Sequence, residues 1–209
     1  MREILEKALK NKRNKADYIE IRVENKETTF IHFQGEKLEK INCSQQIGGN
    51  VRVLVKGGWG FVSFNQFTNI EGRIEEAITV ANLIGKEKSK LAFVLPISEI
   101  IKKELDKDFR QVNLKEKKKL VENYNNIIMN FHPRIQSSDV VYSDRFSTIY
   151  FANSEGSYIE QEKPFLSMRF TAIAREEDNV QMAIESIGTT RGYNTMERIS
   201  PRAQRAASR

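Results

Sequence analysis

The sequence predicts an α+β protein made of two helix-plus-antiparallel-sheet units, and three observations carry that prediction. Apolar residues alternate with polar ones over many short runs, as in strands with one buried face. Short turn-like segments separate successive runs, as in consecutive hairpins. Apolar stripes at helical spacing stand before or after groups of runs and do not alternate with them, which argues against a doubly wound parallel sheet.

Ile4, Leu5, Ala8 and Leu9 share one face of a short first helix. Ile19, Ile21 and Val23 then alternate with Glu20, Arg22 and Glu24, the period of a strand. Asn25-Lys26-Glu27 reads as a turn into Thr28 to Phe33, and Gln34-Gly35-Glu36 as a turn into the run ending at Ile41 and Cys43. Gly48-Gly49-Asn50 punctuates the chain before Val51 to Val55, and Lys56-Gly57-Gly58 turns it into Trp59 to Phe64, so five meandering strands are expected. Thr68 and Glu71 have capping-box spacing, and Ile70, Ile74, Ile78 and Ala81 recur at helical intervals until Gly85. The charged stretch Lys86-Glu87-Lys88-Ser89-Lys90, with Pro96 beyond it, reads as a linker.

Asn113 and Glu116 are spaced as a helix start, and Leu120, Val121, Tyr124, Ile127, Ile128 and Phe131 make one stripe that Pro133 ends. Strand-like runs follow near Val140 to Tyr142, Ser147 to Phe151, Tyr158 to Gln161, Phe165 to Ala174 and Val180 to Ile187, with Asn153 to Gly156 and Glu176 to Asn179 as turns. Two regions result, 1–90 and 91–209, the second expected to end inside a helix. They can be overlaid: Ile31-His32-Phe33 and Ile149-Tyr150-Phe151 lie 149 − 31 = 118 apart, as do Ile41 and Ile159, and Val51-Arg52-Val53 matches Met168-Arg169-Phe170 at 117. This order leaves an internal duplication open.

The 209 residues carry 34 basic and 28 acidic side chains, a formal charge of +6. From Gly188 onward five arginines (Arg191, Arg198, Arg202, Arg205, Arg209) face one acid, Glu197, so 5 − 1 = +4 lies in the tail and 6 − 4 = +2 elsewhere. That distribution does not predict DNA binding. No apolar run reaches the roughly 18 residues of a membrane helix, no apolar signal core opens the chain, and the single cysteine suits a reducing compartment. A cytoplasmic protein with no membrane partner is expected.

Ala16-Asp17-Tyr18-Ile19-Glu20-Ile21-Arg22, Gly49-Asn50-Val51-Arg52-Val53, Gly58-Trp59-Gly60-Phe61-Val62-Ser63 and the helix holding Ala77 and Ala81 together resemble the amino-terminal region of the TldD/PmbA family. Thr190-Arg191-Gly192-Tyr193-Asn194 is similar to the stretch before an alanine-rich helix in the family's middle region, with Asn194 where an acid is often found. Members are also described as modulators of DNA gyrase, and the family includes metal-dependent peptidases. The resemblance implies a zinc-like divalent metal on a His-Glu-x-x-x-His helix of a carboxy-terminal region, peptide or protein substrates, and homo- or heterodimers. No such motif occurs in these residues. The chain is therefore expected to hold scaffold, substrate-chamber and dimer surfaces without the catalytic region, to bind no cofactor and to cleave nothing alone. The alternative is a non-enzymatic interaction module that modulates DNA gyrase or binds nucleic acid.

The residues agree on chemistry. A zinc site needs three or four converging ligands, and only His32, His132 and Cys43 come forward. His32 reads as a half-exposed strand residue, His132 as a helix-end residue before Pro133 and Cys43 as a small apolar strand residue, so no metal or catalytic residue is assigned. The Lys56 to Gly60 glycine cluster lacks the ending of a phosphate loop and reads as a hairpin turn. Trp59 and Phe61 are expected in the core, and Lys115 to Lys119 on a solvated helix face. Arg52 and Arg169 interrupt apolar strands at equivalent places and are the substrate-binding candidates, through a carboxylate in a groove, with plain solvent exposure as the alternative. Ser200-Pro201 starts a helix-compatible tail, expected to fray unless another chain holds it or to stay a disordered basic tail.

Overall fold

The computed structural model describes residues 1–84 and 91–209. Its elements are α1 (Arg2–Lys12), β1 (Tyr18–Gln34), β2 (Lys37–Val55), β3 (Gly58–Phe64), α2 (Ile70–Ile84), β4 (Ser98–Ile101), α3 (Leu114–Met129), β5 (Ile135–Asn153), β6 (Tyr158–Glu176), β7 (Asn179–Thr189), α4 (Tyr193–Glu197) and α5 (Ser200–Ser208). The strand order is β3-β2-β1-β5-β6-β4, with β7 also on β6. Among the strand pairs whose register is defined, β2–β3 and β6–β7 are antiparallel, and the short β4 is parallel to β6. This is the expected α+β class, with the succession helix, three strands, helix occurring twice in chain order.

Two compact units divide the chain, and they interleave along it. Unit one holds Met1–Lys26, Gln45–Lys102 and Ser147–Glu162; unit two holds Glu27–Ser44, Lys103–Phe146 and Lys163–Arg209. A shift of 118 carries 27–44 onto 145–162, within two residues of the segment 147–162 that unit one takes from the second half, and 45 onto 163, where unit two resumes.

In unit one, α1 contributes Leu5, Ala8 and Leu9 and α2 contributes Ile70, Ile74, Ala77, Ile78 and Ala81 to a core closed by Ile19, Ile21, Val51 and Val53 from the sheet. The expected break at Gly48-Gly49-Asn50 is corrected to continuous strand: a Cβ on Gly49 would lie 2.2 Å from the Arg22 carbonyl oxygen, so the glycine serves close approach and not a turn. Asn25-Lys26-Glu27 likewise lies within β1. There Glu24 to Thr28 are all half-buried, because the strand leaves one core before it reaches the next and alternation lapses. Three strands therefore replace the expected five before α2. The α2 cap also moves by one residue: Asn69, at φ 50°, accepts from the Gly72 N–H at 3.1 Å through its side chain, in place of Thr68. Gly85 and the charged linker reading of 86–90 lie outside the described residues.

In unit two, Val121, Tyr124 and Ile128 of α3 pack with Ile31, Phe33, Val140, Tyr142, Leu166, Met168 and Phe170. Asn113 caps α3 as its spacing predicts, accepting from the Glu116 N–H at 2.8 Å. The helix ends at Met129, which leaves Phe131 exposed. The paired runs 140–142 and 147–151 merge into β5, and 158–161 and 165–174 into β6. The tail is corrected too. Helix α5 buries Ala203 and Ala206 in the same core, and Arg202 and Arg209 both reach Glu185 of β7, at 3.4 and 2.9 Å, so its own unit holds it.

Candidate functional site

On the face of unit one's sheet away from its helices, Arg52 stands opposite Phe61 in the β2–β3 register. Its Nε lies 2.9 Å from Glu20 Oε1 and its guanidinium 4.7 Å over the Trp59 ring. Tyr18 meets Trp59 edge-on at 6.2 Å and donates to Glu20 Oε2 at 2.8 Å. Four side chains thus close a circuit around one carboxylate, with Phe61 59% exposed beside it. Neither aromatic is in the core as expected. The β3 face toward the core carries Gly60, where the α2 backbone leaves no room for a Cβ, and the alternation turns Trp59 and Phe61 to the other face.

Burial, reinforced by Glu20 and opposed by the Asn153 amide, pushes the Tyr18 phenol from an ordinary 10.0 to about 12. Because the folded value is raised, the stability linked to this proton is complete below the ordinary phenol range and is lost as pH climbs toward the folded value. Subtracting the ultraviolet titration of Tyr18→Phe from that of the parent chain should leave a phenolate midpoint near 12; a midpoint at the ordinary value would show the phenol to be solvated.

On the open face of unit two's sheet, Arg169 Nη2 lies 3.3 Å from Asp139 Oδ1, and His32 Nε2 lies 2.6 Å from Asp139 Oδ2. A carboxylate oxygen only accepts, so His32 carries its proton on Nε2. His32 and Arg169 border a depression of about 520 Å³ with Phe30, Val141, Phe165 and Ser167 among its walls. Both arginines singled out by sequence pair with a carboxylate, each within its own unit.

A third polar cluster was not legible as such. Lys117 is buried, 2.5 Å from Asp144 Oδ2 and 3.2 Å from Thr29 Oγ1, and the Tyr142 hydroxyl donates to the same Asp144 oxygen at 2.6 Å. The expectation of a wholly solvated Lys115 to Lys119 face is corrected here. Lys117 precedes Val121, Tyr124 and Ile128 at helical spacing, and that registry is the signal that marks it as inward-facing. Burial, then the Asp144 charge, pushes the Tyr142 phenol far above its ordinary range.

No group of three or more His, Cys, Asp or Glu side chains converges as a metal site among the described residues. His32 is committed to Asp139, and His132 Nδ1 accepts from the Arg134 N–H at 3.1 Å. Cys43 is exposed, 3.9 Å from Thr29 Oγ1. These residues do not fit a peptidase metal.

Sequence comparison assigns most of the chain to two regions of one metallopeptidase family. Residues 19–81 match the model of PmbA/TldA metallopeptidase domain 1 and residues 107–209 that of the PmbA/TldA metallopeptidase central domain. The chain belongs to the TldD/PmbA family. It is 39% identical to a metalloprotease of Synechocystis sp. over 94% of its own length and 42% of the relative's, and 33% identical to one of Methanocaldococcus jannaschii over 82% and 39%. A Thermotoga maritima protein described as a modulator of a DNA gyrase superposes with a TM-score of 0.81 at 18% identity, covering 99% of this chain and 47% of that one. TldE of Thermococcus kodakarensis gives 0.73 at 14% identity, over 97% and 47%. The chain thus spans less than half the length of the relatives it matches. No described helix is long and apolar enough to cross a membrane.

Proposed function

We propose that this chain is the first and middle portion of a TldD/PmbA-type metal-dependent peptidase, a scaffold that borders the peptide chamber and offers dimer surface while the metal ligands come from elsewhere. The observation that carries this reading is the pair of family-model matches, 19–81 and 107–209, on a chain whose described residues assemble no metal-ligand cluster. The two family regions meet near residue 90, the complete protein works in the cytoplasm on peptides or proteins, and Arg52 and Arg169 face that substrate. The repeated element order and the 118-residue correspondence of the two units support an origin by duplication.

Purified chain should show no peptide turnover that zinc restores and a chelator abolishes; metal-dependent turnover would defeat the reading. The gyrase description of the Thermotoga neighbour suggests an interaction module instead. Two of the five tail arginines are spent on Glu185, which weakens a basic-tail account. A DNA affinity falling steeply with salt through several phosphate contacts would favour that module.

A further inference from the structure

The depression on unit two's open sheet face combines three recognition elements, and we infer that it binds the free carboxyl end of a peptide whose last side chain is apolar. The first element is Arg169. It stands outward on β6 and offers only Nη2 to Asp139 among the described residues, so the rest of its fork is available for a carboxylate. Asp139 meets Arg169 through Oδ1 alone, its Oδ2 being engaged by His32. Arg145, over the Phe165 ring at 5.7 Å, adds a second positive charge at the rim. An anion is the complementary guest.

The second element is His32 itself. With Nε2 engaged by Asp139, Nδ1 is the ring atom left to meet the backbone of a bound peptide, and it accepts from a peptide N–H in the Nε2–H tautomer. The third is an apolar slot. Gly188 lies opposite Ser167 in the β6–β7 register, and a Cβ there would come 3.3 Å from the Phe165 ring, tighter than an ordinary contact, so a side chain at 188 would crowd that aromatic wall of the depression. Phe30 closes the other side of the same depression. A phosphate would use the arginine but neither the acceptor nor the slot; a peptide terminus uses all three. The choice of a peptide rests on the peptidase-scaffold reading, whereas binding here needs no metal and no cleavage, so the two can fail separately.

The test titrates N-acetylphenylalanine and its amide into the 209-residue chain, followed by amide and imidazole NMR shifts. The acid should bind about tenfold more tightly than the amide, the effect of one charge-assisted contact. R169M should abolish that preference while keeping the parent melting behaviour, and G188V, which fills the slot, should weaken both ligands. Should R169M fail to fold, R169K reads the same preference with a point charge in place of the fork, and an undiminished ratio there overturns the inference. Equal binding of acid and amide, an R169M ratio like the parent's, or inorganic phosphate binding more tightly than the acid would each overturn it as well.

Discussion

Asp144→Ala is expected to cost about 3–5 kcal/mol of stability, the loss that follows when one member of a buried ion pair is removed and the other stays behind. Lys117 and Asp144 are each under 5% exposed, so the ammonium is left poorly hydrated once its carboxylate is gone. Thr29 offers a single hydroxyl oxygen, and the nearby Phe109 ring, 5.7 Å from Nζ, offers only its π face. Tyr142 loses its acceptor at the same time, leaving a phenol O–H unpaired in the core. Urea denaturation should show a lower midpoint with an unchanged slope. The companion double substitution Lys117→Met with Asp144→Leu should recover most of the loss, since apolar replacement of a whole buried pair is often neutral or better. A single variant within about 1 kcal/mol of the parent would mean that the pair is solvated, contrary to its burial.

The legibility of this fold in its sequence follows the reach of each signal. Period and capping are local, so α1, α3 with its Asn113 cap, the strand at Ile19 to Val23 and the turn after Gln34 are readable from neighbouring residues. Glycine is ambiguous at that range. Gly35 turns the chain at φ 54°, whereas Gly49 sits mid-strand because another strand's carbonyl presses on it, and nothing near Gly49 in sequence announces Arg22. Lys117 was obscured for a similar reason: four charged neighbours, three of them basic, suggest a wet face, while its carboxylate lies 27 residues away on β5. Arg52 and Arg169 were legible as interruptions of apolar alternation, but Glu20 and Asp139 as their partners are products of strand pairing. The helical tail was legible in its Ser-Pro start, and its anchorage on Glu185 was not.

Gly60→Val should be the most damaging single change in unit one. A Cβ at position 60 would fall 1.9 Å from the Ala77 carbonyl oxygen and 2.8 Å from the Ala81 nitrogen, both backbone atoms of α2. A flexible side chain could swing away, but a helix backbone can only retreat as a body. Retreat would pull Ile74, Ala77 and Ala81, all fully buried, off Val51 and Val53, so the overpacking cost should reach or exceed about 3 kcal/mol. Even Gly60→Ala meets the same oxygen. The contrast is Gly35→Ala, where the nearest atom to a new Cβ is 3.7 Å away and only the left-handed backbone at φ 54° is penalised, by about 1–2 kcal/mol. Equilibrium denaturation of the three variants should therefore rank Gly35→Ala as mild and both Gly60 changes as severe. A Gly60→Ala chain as stable as the parent would show that α2 does not rest on β3, and with it the placement of Trp59 and Phe61 on the outer face would fall.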